Sequence, residues 1–411
     1  MAKGSRHIAA LDIGTTEVRA VVGEITDNDK LEIIGVGRAP SRGVRKGVVV
    51  NIEATVDAIK QAVEEAEMMA GVPIDAAYVS MGGAQLRGMN SRGVIAISRR
   101  NRDITEEDVY RVIDQARAIS VPTDREIIDV LPQEFTVDGQ DGIGNPIGFL
   151  GMRLEAAVHV VTSPITARQN VVTSVNRAGI VVTDTVVHHI AGGEATLTPD
   201  EKEYGAAVLD IGADITNLTV FFRDAVRHTA VFPMGGNHFT NDIAVGLRTP
   251  VPEAERIKQH EGCALAGLMA ESERSRMVEV PSVGGRPARM LSRQILCEIL
   301  QPRAEEIFSH AAEEVQRAGF ERQILSSVVL IGGGALMDGV VEMAEQVLDL
   351  PARHGMPDFV GGLTGEIDSP AFATVVGALL YGFHKQMNQK KIHSLKDGAP
   401  KQEGFWKRWF R

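Results

Sequence analysis

Apolar and polar positions first suggest strands. HIAALDIG, EVRAVVGEI and LEIIGVG span 7–37 and are separated by short polar turns, the pattern of consecutive strands. Helical spacing takes over in NIEATVDAIKQAVEEAEMMAG, with Asn51 as N-cap and Gly71 just past the end. AAYVSMGG reads as a further buried strand. Residues 84–163 form a module of their own. GVIAIS is a strand, and DITEEDVYRVIDQARAIS is a helix capped by Thr105 with Asp108 in the capping-box position. REIIDVLPQEFTV and LEAAVHVVTS are strands around a glycine-rich connection. The helix PITARQNVVTSVNRAG, ended by Gly179, returns the chain to the first unit. Further on, helices are expected over 252–268 and 291–317. SSVVLIGGGALMDGVVEMAEQVL reads as strand, glycine turn and helix, and PAFATVVGALLYGF as a helix of small residues. After Lys385 the chain turns polar and reads as a linker.

One feature of the pattern repeats. LDIG occurs at 11–14 and again at 209–212, each time inside a strand, tight turn, strand unit: IAALDIGTTEVRAVVG and GAAVLDIGADITNLTVFF. Such an echo predicts two halves of related fold facing one another. The overall class is α/β.

Composition narrows the function classes. The 411 residues are 44% hydrophobic and 24% charged, ordinary for a globular chain. A net charge of −11 argues against a nucleic-acid binder built on phosphate attraction, so no nucleic-acid partner is expected. Cys263 and Cys297 lack metal-ligand spacing and read as a reduced pair. No apolar run reaches membrane-spanning length. The start reaches Asp12 after only four apolar residues, so no signal peptide is expected.

The repeat also carries the chemistry. A strand ending in Asp, followed by Gly and hydroxyl residues in a tight turn, presents N–H groups to phosphate oxygens. Gly14, Thr15 and Thr16 do so in the first copy, and Gly212, Ala213, Asp214 and Thr216 in the second, with Gly235 and Gly236 further on. Asp12 and Asp210 stand where a hydrated Mg²⁺ would bind. One copy alone would read as an ordinary hairpin; two make a clamp. Gly332, Gly333 and Gly334, with Met337 after them, permit flat packing of a base or ribose. Glu255 and Lys258 share a helix face and are candidates for ribose and base, although the pair alone would read as a surface ion pair. There is no Walker A stretch and no HExxH pattern, and GVGRAP fails the dinucleotide fingerprint. The adjacent His188 and His189 would point apart, which disfavours a shared metal. A phosphate chain carrying a base or ribose, with Mg²⁺, is the expected ligand.

The last residues, EGFWKRWFR, hold both tryptophans of the chain. On a helix, Phe405, Trp406, Trp409 and Phe410 share one face, and Lys407, Arg408 and Arg411 take the other. That is the pattern of an interfacial anchor for anionic lipid. A tail docking back on its own domain is the competing reading, and the polar linker disfavours it.

Taken together, LDIGTTEVRAVVGE, VLDIGADITNLTVF, VVLIGGGALM and PAFATVVGALLYG resemble the phosphate, adenosine and connecting-helix motifs of FtsA, a family of actin-like bacterial division proteins. AERIKQHEGCAL, VEVPSVGGRPAR, LPQEFTVDGQDGIGNPIG and the aromatic-basic tail are similar to stretches that set FtsA apart from other actin-like ATPases. The resemblance implies an actin-like ATPase fold: two related lobes around a nucleotide cleft for ATP, an inserted subdomain and a C-terminal amphipathic helix. The first lobe would comprise 1–83, 164–197 and 368–387, and the insert 84–163. The second-lobe core would comprise 198–246 and 318–367, with a small subdomain at 247–317, a linker at 388–403 and a membrane helix at 404–411.

The resemblance also implies a scaffold that polymerises on the cytoplasmic face of the inner membrane at the division site. It would tether filaments of the tubulin-like protein FtsZ and recruit later division proteins through the insert. The FtsZ C-terminal peptide would dock on the small subdomain, where Arg286, Arg289, Arg293 and Arg303 are the candidate contacts. Three departures bear on activity. Ala213 and Asp214 replace frequent glycines, Glu17 stands where lysine is frequent, and His188 aligns with the acid that positions water in related ATPases. Slow hydrolysis at most is expected. The alternatives are a sugar or acyl kinase on the same fold and an FtsA-like pilus assembly ATPase.

Overall fold

In the strand His7–Ile13, side chains alternate between two cores. Ala9, Leu11 and Ile13 enter the one covered by the helix Ile52–Ala70, and Ile8 and Ala10 enter the one covered by the helix Ala373–Leu395. A strand buried on both faces must be apolar throughout. The next member of the even series is Asp12, so its carboxylate leaves the core at the strand's end. The second half follows the same rule. Ala207, Leu209 and Ile211 face one core, Ala206 and Val208 the other, and Asp210 comes next.

The computed structural model describes residues 6–97, 103–324 and 326–395. The expected membrane helix at 404–411 and the linker from 396 onward lie outside the described residues. Each half is built on one sheet of the same plan. In the first, the strand order is Val181–Val187, Ala76–Met81, His7–Ile13, Glu17–Ile25, Leu31–Pro40, Gly361–Gly362. In the second it is Ala352–His354, Ser327–Ile331, Ala206–Ile211, Thr216–Phe222, Ala225–Phe232. In both, a three-stranded antiparallel meander carries two parallel strands beside its first strand, and in the first sheet Gly361–Gly362 adds in parallel at the other edge.

The helix Ile52–Ala70 starts on Asn51, whose side chain accepts the Ala54 N–H, and stops at Gly71 with φ +70°, both as the sequence suggests. It lies close on its sheet because Gly37 has no Cβ; one there would overlap the Ala62 carbonyl. The module after Ala84 is a four-stranded sheet, Arg87–Ala96, Arg153–Pro164, Arg125–Val137, Gln140–Ile143. It is covered by the helix Glu106–Arg117, whose Thr105–Asp108 capping box is present. It meets the second half through a polar seam: Gln133 Nε2 donates to Val226 O at 2.9 Å, and His159 Nε2 lies 2.9 Å from Thr229 Oγ1.

Three helix boundaries differ from expectation. The segment read as helical over 252–268 is helical only at Val251–Glu261, because Gly262 turns extended and a short 3₁₀ turn follows at Ala266–Leu268. The long helix starts at Arg293 rather than 291 and runs to Arg317; residues Arg289–Ser292 pair instead with Met277–Val280. The last helix continues to Leu395, past the expected linker boundary at 388. Among the described residues, no helix is long and apolar enough to cross a membrane.

Candidate functional site

Between the two halves lies a cleft of about 610 Å³. Its floor consists of the two repeated turns, which close alike: Gly14 N–H donates to Glu17 O at 3.1 Å, and Gly212 N–H to Ile215 O at 2.9 Å. Each turn follows the buried strand that delivers its aspartate. Asp12 is 5% exposed and Asp210 6%; both line the cleft, with Gly14, Thr15, Thr16, Gly212 and Ala213.

The two carboxylates differ in their partners. Ser80 Oγ donates to Asp12 at 2.7 Å, His188 Nε2 lies 3.0 Å from it, and an Arg19 nitrogen 3.7 Å away. Burial would raise the Asp12 carboxyl, but these neighbours outweigh it and hold it at about 2. Among the described residues, the Asp210 carboxylate accepts from Asn217, at 3.0 Å. Burial, reinforced by the Asp12 charge, raises its pKa above the ordinary value. Burial also works against a charged His188, yet Asp12 prevails and raises its pKa.

The opposite wall comes from the strand–glycine turn. Gly332 has φ +84°, and a Cβ there would lie 2.5 Å from Asp210 Oδ1. Gly334 is just as tight, because a Cβ would overlap Ile211. Gly333 faces open space, with nothing within 4 Å. It lines the cleft with Gly334, Leu336 and Met337. The far end is Glu255 and Lys258, which are not simply a surface pair. Lys258 Nζ donates to Glu255 at 2.7 Å, to Thr240 Oγ1 at 2.9 Å and to Gly236 O at 3.1 Å, and both side chains line the cleft. Burial opposes the Glu255 charge, but Lys258 and Thr240 together lower its pKa.

Gly236 lines the cleft, and Gly235 packs on the second turn, where a Cβ would overlap Gly212 O. Thr216 and Asp214 are not among the lining residues. Thr216 is buried and donates to Met234 O at 2.9 Å, so it supports the turn from behind. Asp214 accepts from Lys46 N–H and from Asn237 Nδ2, each at 2.8 Å. Both carboxylate oxygens are thus engaged by donors at the edge of the cleft.

Sequence reasoning missed Arg19, Asn217, Asn237, Gln259 and Thr374, all of which line the cleft. A signal existed for the first two. The pairing register sets Asp12 opposite Arg19 and Asp210 opposite Asn217. Cross-strand neighbours share a face, so the residue opposite each aspartate had to face the same site. Thr374 comes from the last helix, and no local pattern reports that contact.

The basic candidates separate into two kinds. Arg286 and Arg289 are exposed, although Arg289 also donates to Leu247 O. Arg293 is 8% exposed and ties Glu261 O, Glu273 and Asp338 together at 2.9, 3.0 and 3.1 Å. Arg303 grips both oxygens of Asp242, at 2.8 and 3.1 Å, and pairs with Glu306. These last two are tied into ion pairs within the chain, Arg293 buried and Arg303 partly exposed. Cys263 and Cys297 are free and buried, and share a small core with Met269.

Chemically, paired turns of backbone N–H groups, flanked by Arg19 and Lys258 and backed by two carboxylates, suit a phosphate chain with a cation. Two halves of one plan closing on such a cleft define the actin-like class. MreB5 of Spiroplasma citri, solved bound to AMPPNP, matches with a TM-score of 0.57 at 14% identity, covering 95% of this chain and 99% of that one. The structure of a PilM–PilN type IV pilus biogenesis complex matches with a TM-score of 0.67 at 17% identity, covering 92% and 98%. At such identities the likeness is one of fold.

Sequence relatives go further. A family model described as cell division protein FtsA matches residues 207–377, and one described as the SHS2 domain inserted in FtsA matches 83–162. Cell division protein FtsA of Pseudomonas aeruginosa is 45% identical, over 93% of this chain and 91% of that protein. That of Borreliella burgdorferi is 41% identical, over 98% of each. The chain belongs to the FtsA family of actin-like cell division proteins. This sets aside the small-molecule kinase and the pilus ATPase.

Proposed function

We propose that the chain is an Mg·ATP-dependent scaffold that assembles on the cytoplasmic face of the inner membrane at the division site and holds FtsZ filaments there. The observation that carries the reading is the paired-aspartate cleft in a chain of this family. The cleft fits the cofactor. Among the described residues, Arg19 Nε and Asn217 Oδ1 are buried polar atoms of its wall without hydrogen-bond partners, and Gly332 and Gly334 keep the wall flat. Asp12 and Asp210 would hold Mg²⁺ through water, with Asn217 Oδ1 free to accept from such a water. The ion would neutralise the phosphate charge. Gly14, Thr15, Thr16, Gly212 and Ala213 would cradle the phosphates. Glu255, Lys258 and the 332–334 turn would hold the nucleoside. Hydrolysis is slow, because His188, its Nε2 3.0 Å from Asp12, stands where a carboxylate would orient water.

The FtsZ C-terminal peptide docks on the small subdomain. Arg286 and Arg289 are the charged contacts, beside exposed Met290 and Val283. Other division proteins bind the inserted sheet. The tail at 404–411 folds on anionic lipid, and self-assembly multiplies this weak anchor through effective concentration. The test is co-sedimentation of the full chain with anionic liposomes, with and without an FtsZ C-terminal peptide. Pelleting with lipid and recruitment of the peptide support the reading. A chain that stays in the supernatant in both arms overturns it.

A further inference from the structure

The short hairpin formed by Val44–Arg45 and Val48–Val49 touches both halves beside the phosphate turns. Its tip is left-handed, with Lys46 at φ +50° and Gly47 at φ +70°. On its own half, Gly47 N–H donates to Thr15 Oγ1 at 3.3 Å, and Lys46 O accepts the Ala84 N–H at 3.1 Å. Across the cleft, Lys46 N–H donates to Asp214 Oδ2 at 2.8 Å. The other Asp214 oxygen accepts from Asn237 Nδ2 at 2.8 Å, which fixes the carboxylate's direction. Ile215 packs beside the same tip, its Cδ1 3.2 Å from where a Gly47 Cβ would be.

We propose that Asp214 is a positioning residue that latches the 44–49 hairpin across the cleft, holding the two lobes closed on each other without a ligand. Lys46 and Asp214 are 168 residues apart and belong to different lobes, so the bond cannot survive lobe opening. It is charge-assisted and therefore stronger than an ordinary backbone bond. It is also solvent-exposed, so it biases the lobes without locking them. Glycine at 214 would leave the Lys46 N–H without this acceptor and make closure depend on what fills the cleft. The inference rests on the cleft being the nucleotide site, since only then does the latch set when nucleotide enters and leaves.

The test is hydrogen exchange on the full chain without nucleotide, followed residue by residue over 44–49. In the native chain the Lys46 amide is protected. Asp214→Ala is expected to speed its exchange about tenfold, while the helix Ile52–Ala70 keeps its protection. Asn237→Ala, which frees the carboxylate without removing it, gives a smaller increase at the same amide. Unchanged exchange at Lys46 in Asp214→Ala overturns the latch. So does faster exchange throughout the chain in both variants, which would mark a general loss of stability. A second arm adds Mg·ATP. If ATP protects neither the native chain nor the variant, the nucleotide reading falls while the ligand-free arm still decides the latch.

Discussion

Asp12 and Asp210 are the same residue in two copies of one turn, yet one is held far below the usual carboxylate range and the other above it. Both are buried, but Asp12 has His188, Arg19 and Ser80 against it, whereas Asp210 has a hydrogen bond from Asn217 and faces the Asp12 charge. Neither the histidine's role nor Arg19 and Asn217 follow from the repeat itself, which specifies only the turns. The glycines also separate once neighbours are known. Gly334 abuts Ile211, so a bulky residue there strains the second lobe; Gly333 is open, and Gly333→Trp fills the cleft cleanly. His159 gives a further residue-scale prediction, far from the cleft. Burial, then the His228 charge, lowers its pKa to about 3 from 6.5. The folded state thus excludes a proton that the unfolded state binds below 6.5. Stability is therefore lost as pH falls from 6.5 toward 3, at up to about 1.4 kcal/mol per pH unit for this group. His159→Asn, measured by urea denaturation between pH 7 and pH 4.5, should show a slope shallower by up to one proton. An identical slope would mean that His159 titrates normally in the folded chain.

At the scale of elements, turn chemistry and caps were legible because they are local. Asn51, Gly71 and the Thr105–Asp108 box lie where the structure has them, and the two meanders follow from alternation and tight turns. The 44–49 hairpin was not legible, because strands of two residues carry no periodicity. The end of the 251–261 helix was missed because Gly262 interrupts a sequence whose apolar spacing continues. Arg293 and Arg303 read as basic surface because their partners, Asp338 and Asp242, are distant in sequence. The small subdomain's hairpin carries the partner prediction. Arg286→Glu should weaken FtsZ-peptide binding about tenfold at low salt, with a shallower salt dependence, as measured by titration calorimetry. Arg303→Glu is not a clean probe, since it sets a like charge against Asp242. Binding of Arg286→Glu at the native level would move the peptide surface elsewhere, for instance onto the inserted sheet.

For the whole molecule, the doubled LDIG unit made the two-lobed plan readable. The way the lobes meet was not, because it depends on contacts such as Gly332 N–H to Pro370 O at 3.0 Å between distant segments. The tail is expected to act independently of the body. Liposome binding should fall in the order native chain, Lys407→Glu, Trp406→Glu, since the lysine lies on the polar face and the tryptophan on the aromatic one. Removing 404–411 should abolish it and leave ATP affinity unchanged; residual pelleting, or loss of ATP, would favour a docked tail. Without partners, steady-state turnover should stay below about one per second; many per second would mean that His188 is misread. The central claim is that the two aspartate turns and the 332–334 wall form one nucleotide site. Equilibrium dialysis with Mg·ATP tests it most directly. The native chain should bind one ATP, Gly333→Trp should bind none, and Asp210→Ala should bind about tenfold more weakly with Mg²⁺ present. Equal affinity in all three proteins would contradict the account.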